Sequence, residues 1–176
     1  MEKKFITNLH LSTKRKYLSR MIDSKVDCMK EAKKYGKNYW DGNRRFGYGG
    51  YKYIPGRWAP VAKKLIKNYR LKKGSKILDV GCGKGFLLYE LKKLLPSSEI
   101  KGLDISDYAV ENAKEEIKEN LVVGNANKLP FKDNYFDFVF SLNTLHNLYN
   151  YELFSALSEI ERVSKKGSFV TVDAYR

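Results

Sequence analysis

A short apolar run that leads into alternating glycines organises the chain. Ile77, Leu78 and Val80 are apolar, as is typical of a parallel strand covered on both faces. The turn that follows contains three glycines, Gly81, Gly83 and Gly85. Without Cβ atoms the backbone can turn sharply and a ligand can come close to it. Apolar residues at helical spacing then continue to Pro96, so the pattern predicts a strand, a turn and a helix around a nucleotide-type site.

The same analysis predicts alternating strands and helices on both sides of this turn. Strands are predicted at 76–80, 99–105, 121–126, 133–143 and 168–173. Helices are predicted at 12–35 in two segments, 57–70, 86–95, 106–117 and 150–163. In the second segment of the first helix, the predicted inward face consists of Val26, Met29, Ala32 and Tyr35. In the helix at 150–163, it consists of Leu153, Phe154, Leu157, Ile160 and Val163. This alternation predicts an α/β fold with a mostly parallel sheet.

Residues 38–58 follow neither a helical nor a strand period. Aromatic residues, glycines and arginines alternate there, and such a composition can stack on bases or planar ligands. One interpretation is a substrate-facing lid, with candidate contacts at Tyr48, Tyr51, Arg57 and Trp58. The other is an irregular linker whose rings only pack on the domain. Two parts are predicted: residues 1–56 as a basic N-terminal extension and residues 57–176 as the core.

Composition narrows the class of protein. The chain has 176 residues, enough for one domain with a substantial core, and no apolar run of transmembrane length. Two cysteines make no disulfide framework, and the start of the chain lacks the apolar region of a secretory signal. These observations favour a cytoplasmic protein.

The net charge of +14 is unevenly distributed. Residues 1–75 contain 21 Lys and Arg against 5 Asp and Glu, whereas residues 76–176 contain 13 against 15. All of the excess positive charge therefore precedes the glycine turn. Three explanations stay open: a solvated lysine-rich face, a site for an anionic small substrate, and a nucleic-acid surface.

The glycine turn departs from the common nucleotide motifs. Its spacing is Gly-x-Gly-x-Gly rather than the dinucleotide Gly-x-Gly-x-x-Gly, and no Ser or Thr follows Lys84 as a phosphate loop would require. A carboxylate at Asp79 suits a ligand with an ammonium or sulfonium charge. The stretch 76–85 resembles motif I of class I S-adenosylmethionine-dependent methyltransferases, and four further features in the same order extend the resemblance over residues 57–176. They are Asp104, Asn125 with Ala126, Phe136 with Asp137, and the closing helix and strand.

The resemblance implies a Rossmann-like three-layer sandwich that binds S-adenosylmethionine and methylates a small molecule. The implied cofactor residues are Asp79, Gly81, Cys82, Gly83, Gly85, Asp104, Ile105, Asn125, Ala126 and Asn143. Asp104 would hold the ribose, and Asn125 with Ala126 would lie beside the adenine. His146 is a candidate general base because its ordinary pKa lies near neutrality. Asn147 and Asn143 could bind substrate or cap the helix at 150–163. No metal site is predicted.

The resemblance also has a gap, because the family's sheet usually has seven strands and this chain has length for five. The uncovered fifth strand could support a homo-oligomer. Alternatives are an RNA or tRNA methyltransferase, a catalytically inactive partner protein with the same fold, and a nicotinamide-dependent reductase. The fourth strand lacks the Asn/Asp-Pro-Pro-aromatic signature of exocyclic amino methylases, and the glycine spacing disfavours the reductase.

Overall fold

A parallel β-sheet forms the centre of the computed structural model, which describes residues 24–172. Its strands are β1 (Lys76–Val80), β2 (Glu99–Asp104), β3 (Leu121–Val123), β4 (Phe138–Leu142) and β5 (Ser168–Thr171). Their order across the sheet is β3-β2-β1-β4-β5, and each neighbouring pair is parallel. From β1 the chain moves outward through β2 to β3 and then crosses back to β4 on the other side of β1. The direction of strand addition thus reverses next to β1, which creates a crevice at the carboxyl ends of β1 and β4.

The helices connect the strands and cover both faces of the sheet. They are α1 (Lys25–Ala32), α2 (Lys37–Trp40), α3 (Ala59–Tyr69), α4 (Phe86–Leu94), α5 (Asp107–Glu111), α6 (Glu115–Lys118) and α7 (Asn150–Val163), with a 3₁₀ turn at Leu145–Asn147. The predicted helix at 106–117 is split into α5 and α6. Asn112 lies at the break and its amide donates to the carbonyl of Tyr108, because an asparagine side chain competes with the helical backbone. The predicted segment 12–23 lies outside the described residues.

Successive residues of β1 point to opposite faces and divide the core in two. Ile77 packs with α3 and α4, whereas Leu78 and Val80 pack with α7 on the other face. Asp79 lies on the same side of the strand as Ile77, but at the carboxyl end, where the apolar layer stops. The pattern that predicted the strand therefore also places a carboxylate at the edge of the core.

The predicted inward faces of two helices are partly wrong. In α7, Ala156, Ile160 and Val163 are buried, whereas Phe154 is 75% exposed. Leu157 is also exposed, because the inward stripe runs from the half-buried Leu153 through Ala156, Ile160 and Val163 at helical spacing. The small Ala156 gave no strong apolar signal.

Helix α1 is also rotated relative to the prediction. Cys28 is its buried residue, whereas Val26 and Met29 are exposed. The helix rests on the domain through a face that its two larger apolar residues do not share. Core packing of Val26 and Met29 is therefore not observed, although their hydrophobicity favoured it.

Two further features concern the cysteines and the lengths of the helices. Cys28 and Cys82 are both free. Among the helices of residues 24–172, none is sufficiently long and apolar to cross a membrane.

Candidate active site

A cavity of about 400 Å³ opens at the carboxyl ends of β1, β2 and β4, within the size range of small-molecule sites. The 35–58 segment forms its other wall. Fourteen of the residues predicted from the sequence line it: Tyr48, Tyr51, Arg57, Trp58, Asp79, Gly81, Cys82, Gly83, Asp104, Ile105, Asn125, Ala126, Asn143 and Asn147. The structure thus brings nine of the ten predicted cofactor residues and all five predicted acceptor residues to one cavity.

Two predicted site residues lie elsewhere. His146 is exposed in the 3₁₀ turn and is not among the residues that line the cavity. Gly85 faces Ile117 and Leu121 instead, and an added Cβ would lie 3.1 and 3.2 Å from their side chains. Tyr149 is the N-cap residue of α7, so neither Asn143 nor Asn147 caps that helix.

The glycine turn has a backbone that only glycine adopts easily. Gly81 has φ +84° and Gly83 has φ +54°. A Cβ on Gly81 would lie 2.2 Å from Cγ2 of Thr144, and a Cβ on Gly83 would lie 2.8 Å from the Trp40 ring. Thr144 and Trp40 therefore fill the space that these glycines leave, and both line the cavity.

Replacing Gly81 with alanine should lower the free energy of unfolding by about 2–4 kcal/mol, because a strained φ and a steric clash add together. Gly74→Ala is a matched control, since Gly74 has φ +82° but no atom within 4 Å of an added Cβ. The control should cost only about 1–2 kcal/mol. Urea unfolding of both variants measures the difference, and equal costs would contradict crowding by Thr144.

Asp104 joins the glycine turn to the end of β2. Its Oδ2 accepts the N–H of Gly83 at 2.6 Å and its Oδ1 accepts the N–H of Ser106 at 2.9 Å. Burial raises the pKa of Asp104, although these backbone bonds oppose the shift. Each carboxylate oxygen can accept a second hydrogen bond. The arrangement therefore leaves acceptor capacity for two neighbouring hydroxyls of a ligand in the cavity.

Asp79 is a buried carboxylate with an unsatisfied oxygen. Its Oδ1 accepts no hydrogen bond from the residues in the described part of the chain. Burial and the charge of Asp104 raise its pKa well above the ordinary value. Such a group is costly unless a ligand compensates it. A cationic ligand group fits this position, because it would offset both the lost hydration and the repulsion between the two carboxylates.

Packed aromatic rings form the wall opposite the glycine turn. Trp40 and Tyr48 stack with centroids 5.2 Å apart and planes at 3°, and Tyr51 lies 5.0 Å from Phe86. The Trp40 indole N–H donates to Oγ of Ser106 at 2.8 Å, directly after the Asp104 strand end. Burial raises the pKa of the Tyr51 phenol, so this residue stays protonated near neutral pH. The rings therefore supply a packed aromatic wall rather than a base.

Charge is unevenly divided between the two sides of the cavity. The acidic residues that line it, Asp79 and Asp104, lie at the strand ends. The basic residues that line it, Arg44, Lys52 and Arg57, all belong to the opposite segment. The cavity is therefore suited to a cation near the strands and to an anion near the 35–58 segment.

Several lining residues were not identified from the sequence. Tyr39 and Trp40 belong to the aromatic stretch 38–58, whose composition was the available signal, whereas Tyr35 was assigned to the inward face of the preceding helix. Thr144 follows Asn143 at the exit of β4, where position relative to the sheet could have indicated it. Its hydroxyl donates to the carbonyl of Gly81 at 3.2 Å, which ties β4 to the glycine turn.

Comparison with known proteins places the chain among methyltransferases. The family model described as "Methyltransferase domain" matches residues 78–172, more than half of the chain. Demethylmenaquinone methyltransferases are similar in sequence: that of Staphylococcus aureus is 41% identical over 113 residues, which is 61% of this chain and 46% of that protein. That of Staphylococcus carnosus is 41% identical over 110 residues, 60% of this chain and 45% of that protein. The chain thus spans about half the length of these curated relatives.

Solved structures agree on the fold. A SAM-dependent methyltransferase from Aquifex aeolicus is 31% identical with a TM-score of 0.54, over 64% of this chain and 63% of that one. The [4+2]-cyclase SpnF is 25% identical with a TM-score of 0.58, over 76% of this chain and 49% of that one. Because a protein named for cyclisation has this architecture, the fold alone does not define the reaction.

Proposed function

Because this chain belongs to the methyltransferase-domain family, we propose that it transfers the methyl group of S-adenosylmethionine to a small anionic acceptor. The observation that carries the proposal is the division of charge in the cavity. Asp79 and Asp104 lie beside the glycine turn, where a sulfonium nucleoside would bind, and the basic residues lie on the opposite wall. The orphaned Oδ1 of Asp79 supports a cationic ligand in particular.

S-adenosylmethionine supplies an electrophilic methyl carbon whose bond to sulfur breaks as the acceptor's nucleophile attacks, and the sulfonium becomes a neutral thioether. The chain's own part is to hold the two reactants in line. Asp104 would accept the ribose hydroxyls, and Asn125 with Ala126 would lie by the adenine. Asp79 would face the positive end of the cofactor. Trp40, Tyr48 and Tyr51 would exclude water from the reacting atoms.

The acceptor side of the cavity supports an anionic substrate with a planar or apolar part. Arg44, Lys52 and Arg57 can bind carboxylate or phosphate groups, and the neighbouring rings can stack on a flat surface. Of the three explanations for the basic N-terminal region, these contacts favour a site for an anionic small substrate.

Calorimetry with S-adenosylmethionine, a nicotinamide cofactor and RNA tests the proposal. We expect binding of S-adenosylmethionine at micromolar concentrations and no binding of the nicotinamide cofactor. A metabolite extract incubated with methyl-labelled donor should then yield a labelled anionic small molecule. Binding of the nicotinamide cofactor alone would refute the assignment, and label found only in RNA would favour the nucleic-acid alternative.

A further inference from the structure

An ion pair joins the 35–58 segment, called the aromatic segment below, to the glycine turn. Lys84 Nζ lies 2.6 Å from Oδ2 of Asp41, and the two side chains are 6% and 26% exposed. Lys84 stands between Gly83 and Gly85, and Asp41 directly follows Trp40. Neither residue is among those that line the cavity. The pair therefore lies behind the cavity and connects its two walls.

Asp41 also binds two further parts of the chain. The hydroxyl of Tyr108, in α5, donates to Oδ2 at 2.8 Å, and the backbone N–H of Tyr51 donates to Oδ1 at 3.0 Å. Burial opposes ionisation of Asp41, but these bonds together with that from Lys84 outweigh it and lower its pKa. One carboxylate thus holds the glycine turn, α5 and the aromatic segment together.

The ring that this carboxylate positions is Trp40. The Trp40 carbonyl accepts the backbone N–H groups of Gly50 and Tyr51, both at 3.0 Å, so the segment folds back on itself at the Asp41 contact. The Trp40 indole lies against Gly83 and is bonded to Ser106. Movement of Asp41 away from Lys84 would therefore also move the Trp40 ring, which covers the glycine turn.

Lys84 is unusual among the ion-paired lysines of the described residues, because its side chain is by far the most buried. Removing a lysine from water costs free energy that a buried pair recovers only in part. Apolar contacts could cover the turn without this cost. The retained charge pair instead provides a contact that forms in one geometry and is lost when the segment lifts.

We infer that Asp41 and Lys84 are a positioning pair that holds the aromatic segment closed over the cavity and couples its ordering to cofactor binding. If the cofactor binds better when the segment is closed, the segment must also close better when the cofactor is bound, because coupling between two equilibria is reciprocal. The second half of the inference rests on the proposed function, and the first half does not.

Limited digestion with trypsin tests the first half without any ligand. Arg44 and Arg45 are exposed within the segment, and cleavage after them reports how often it lifts from the domain. Asp41→Asn and Lys84→Met should each accelerate this cleavage about tenfold. Lys34→Met is the matched control: Lys34 lies 2.6 Å from Glu31 but is 69% exposed, and its loss should change the cleavage rate little.

The double variant and the rate of cleavage at other sites separate positioning from general destabilisation. Asp41→Asn with Lys84→Met should be cleaved no faster than the faster single variant, because both substitutions remove the same contact. Cleavage elsewhere in the chain should keep its wild-type rate. Unchanged cleavage after Arg44 and Arg45 in both single variants, or equal acceleration at every site, would overturn the inference.

S-adenosylhomocysteine, the neutral product, tests the coupling. Saturation with it should slow cleavage of the segment in the wild-type protein, and both variants should bind it about tenfold more weakly. Faster cleavage with unchanged affinity would refute the coupling. If the wild-type protein binds neither this compound nor S-adenosylmethionine, the proposed function fails, and the ligand-free digestion still decides the role of the pair.

Discussion

Replacing Asp104 with asparagine is expected to weaken binding of S-adenosylmethionine by about 100-fold or more. Two charge-assisted hydrogen bonds to the ribose, each worth about 1.5–3 kcal/mol, would lose their charged acceptor. The amide would also direct N–H donors at the N–H of either Gly83 or Ser106, since the carboxylate accepts from both. Calorimetry with purified wild-type and variant protein measures the loss.

An analogue of S-adenosylhomocysteine without ribose hydroxyls separates loss of the ribose contact from disturbance of the glycine turn. S-adenosylhomocysteine itself is the reference ligand, and wild-type protein should bind the analogue far more weakly than it. The Asp104→Asn variant should distinguish little between the two compounds, because its ribose contact is already lost. If the variant discriminates as strongly as the wild-type protein, Asp104 does not contact the ribose, and its role is confined to the turn.

The order and kind of the core elements could be predicted because they depend on local patterns. The apolar run at 76–80, the glycines and Pro96 set the first strand, turn and helix without reference to distant residues. Strand β1 is buried on both faces, so its signal is a continuous run that tolerates little ambiguity. The same reasoning located α7 to the residue, since helical spacing extends over its whole length.

Which helix residues pack inward was harder to predict, because this depends on partners distant in sequence. Phe154 is more hydrophobic than Ala156, yet Ala156 is the one that contacts the sheet. Hydrophobicity alone ranks side chains by size, whereas close approach of a helix to a sheet selects small residues at the contact. Val26 and Met29 in α1 were assigned inward for the same reason and are exposed.

The candidate site also combines residues that local sequence indicates with residues that only tertiary contacts bring together. Asp79, Gly81 and Asp104 lie within one strand–turn–helix–strand unit, so their positions at strand ends and the family resemblance indicated them. Trp40 and Asp41 lie more than forty residues before the turn that they contact, and no local period connects them to it. The aromatic composition predicted a segment near the ligand, but only the tertiary structure identifies Lys84 as its attachment point.

Asp79→Asn is expected to make the ligand-free protein more stable and cofactor binding about tenfold or more weaker at neutral pH. Burial and the neighbouring Asp104 raise the pKa of Asp79 well above that in the unfolded chain. Its ionisation therefore opposes folding, and the free energy of unfolding should fall as pH rises from about 4 towards the raised pKa. The asparagine variant lacks this loss, so its melting temperature should exceed that of the wild-type protein by about 3 °C or more.

The cofactor should reverse the effect of Asp79 on the wild-type protein. A sulfonium or ammonium group near the carboxylate favours ionisation, so binding should release a proton and affinity should rise with pH in that same window. Calorimetry in two buffers with different heats of ionisation measures the proton release, which the Asp79→Asn variant should not show. A variant that is less stable without ligand, or that binds S-adenosylmethionine as tightly as the wild-type protein, would contradict this account. The first outcome would show that Asp79 does not destabilise the free protein, and the second would show that it does not recognise the cation.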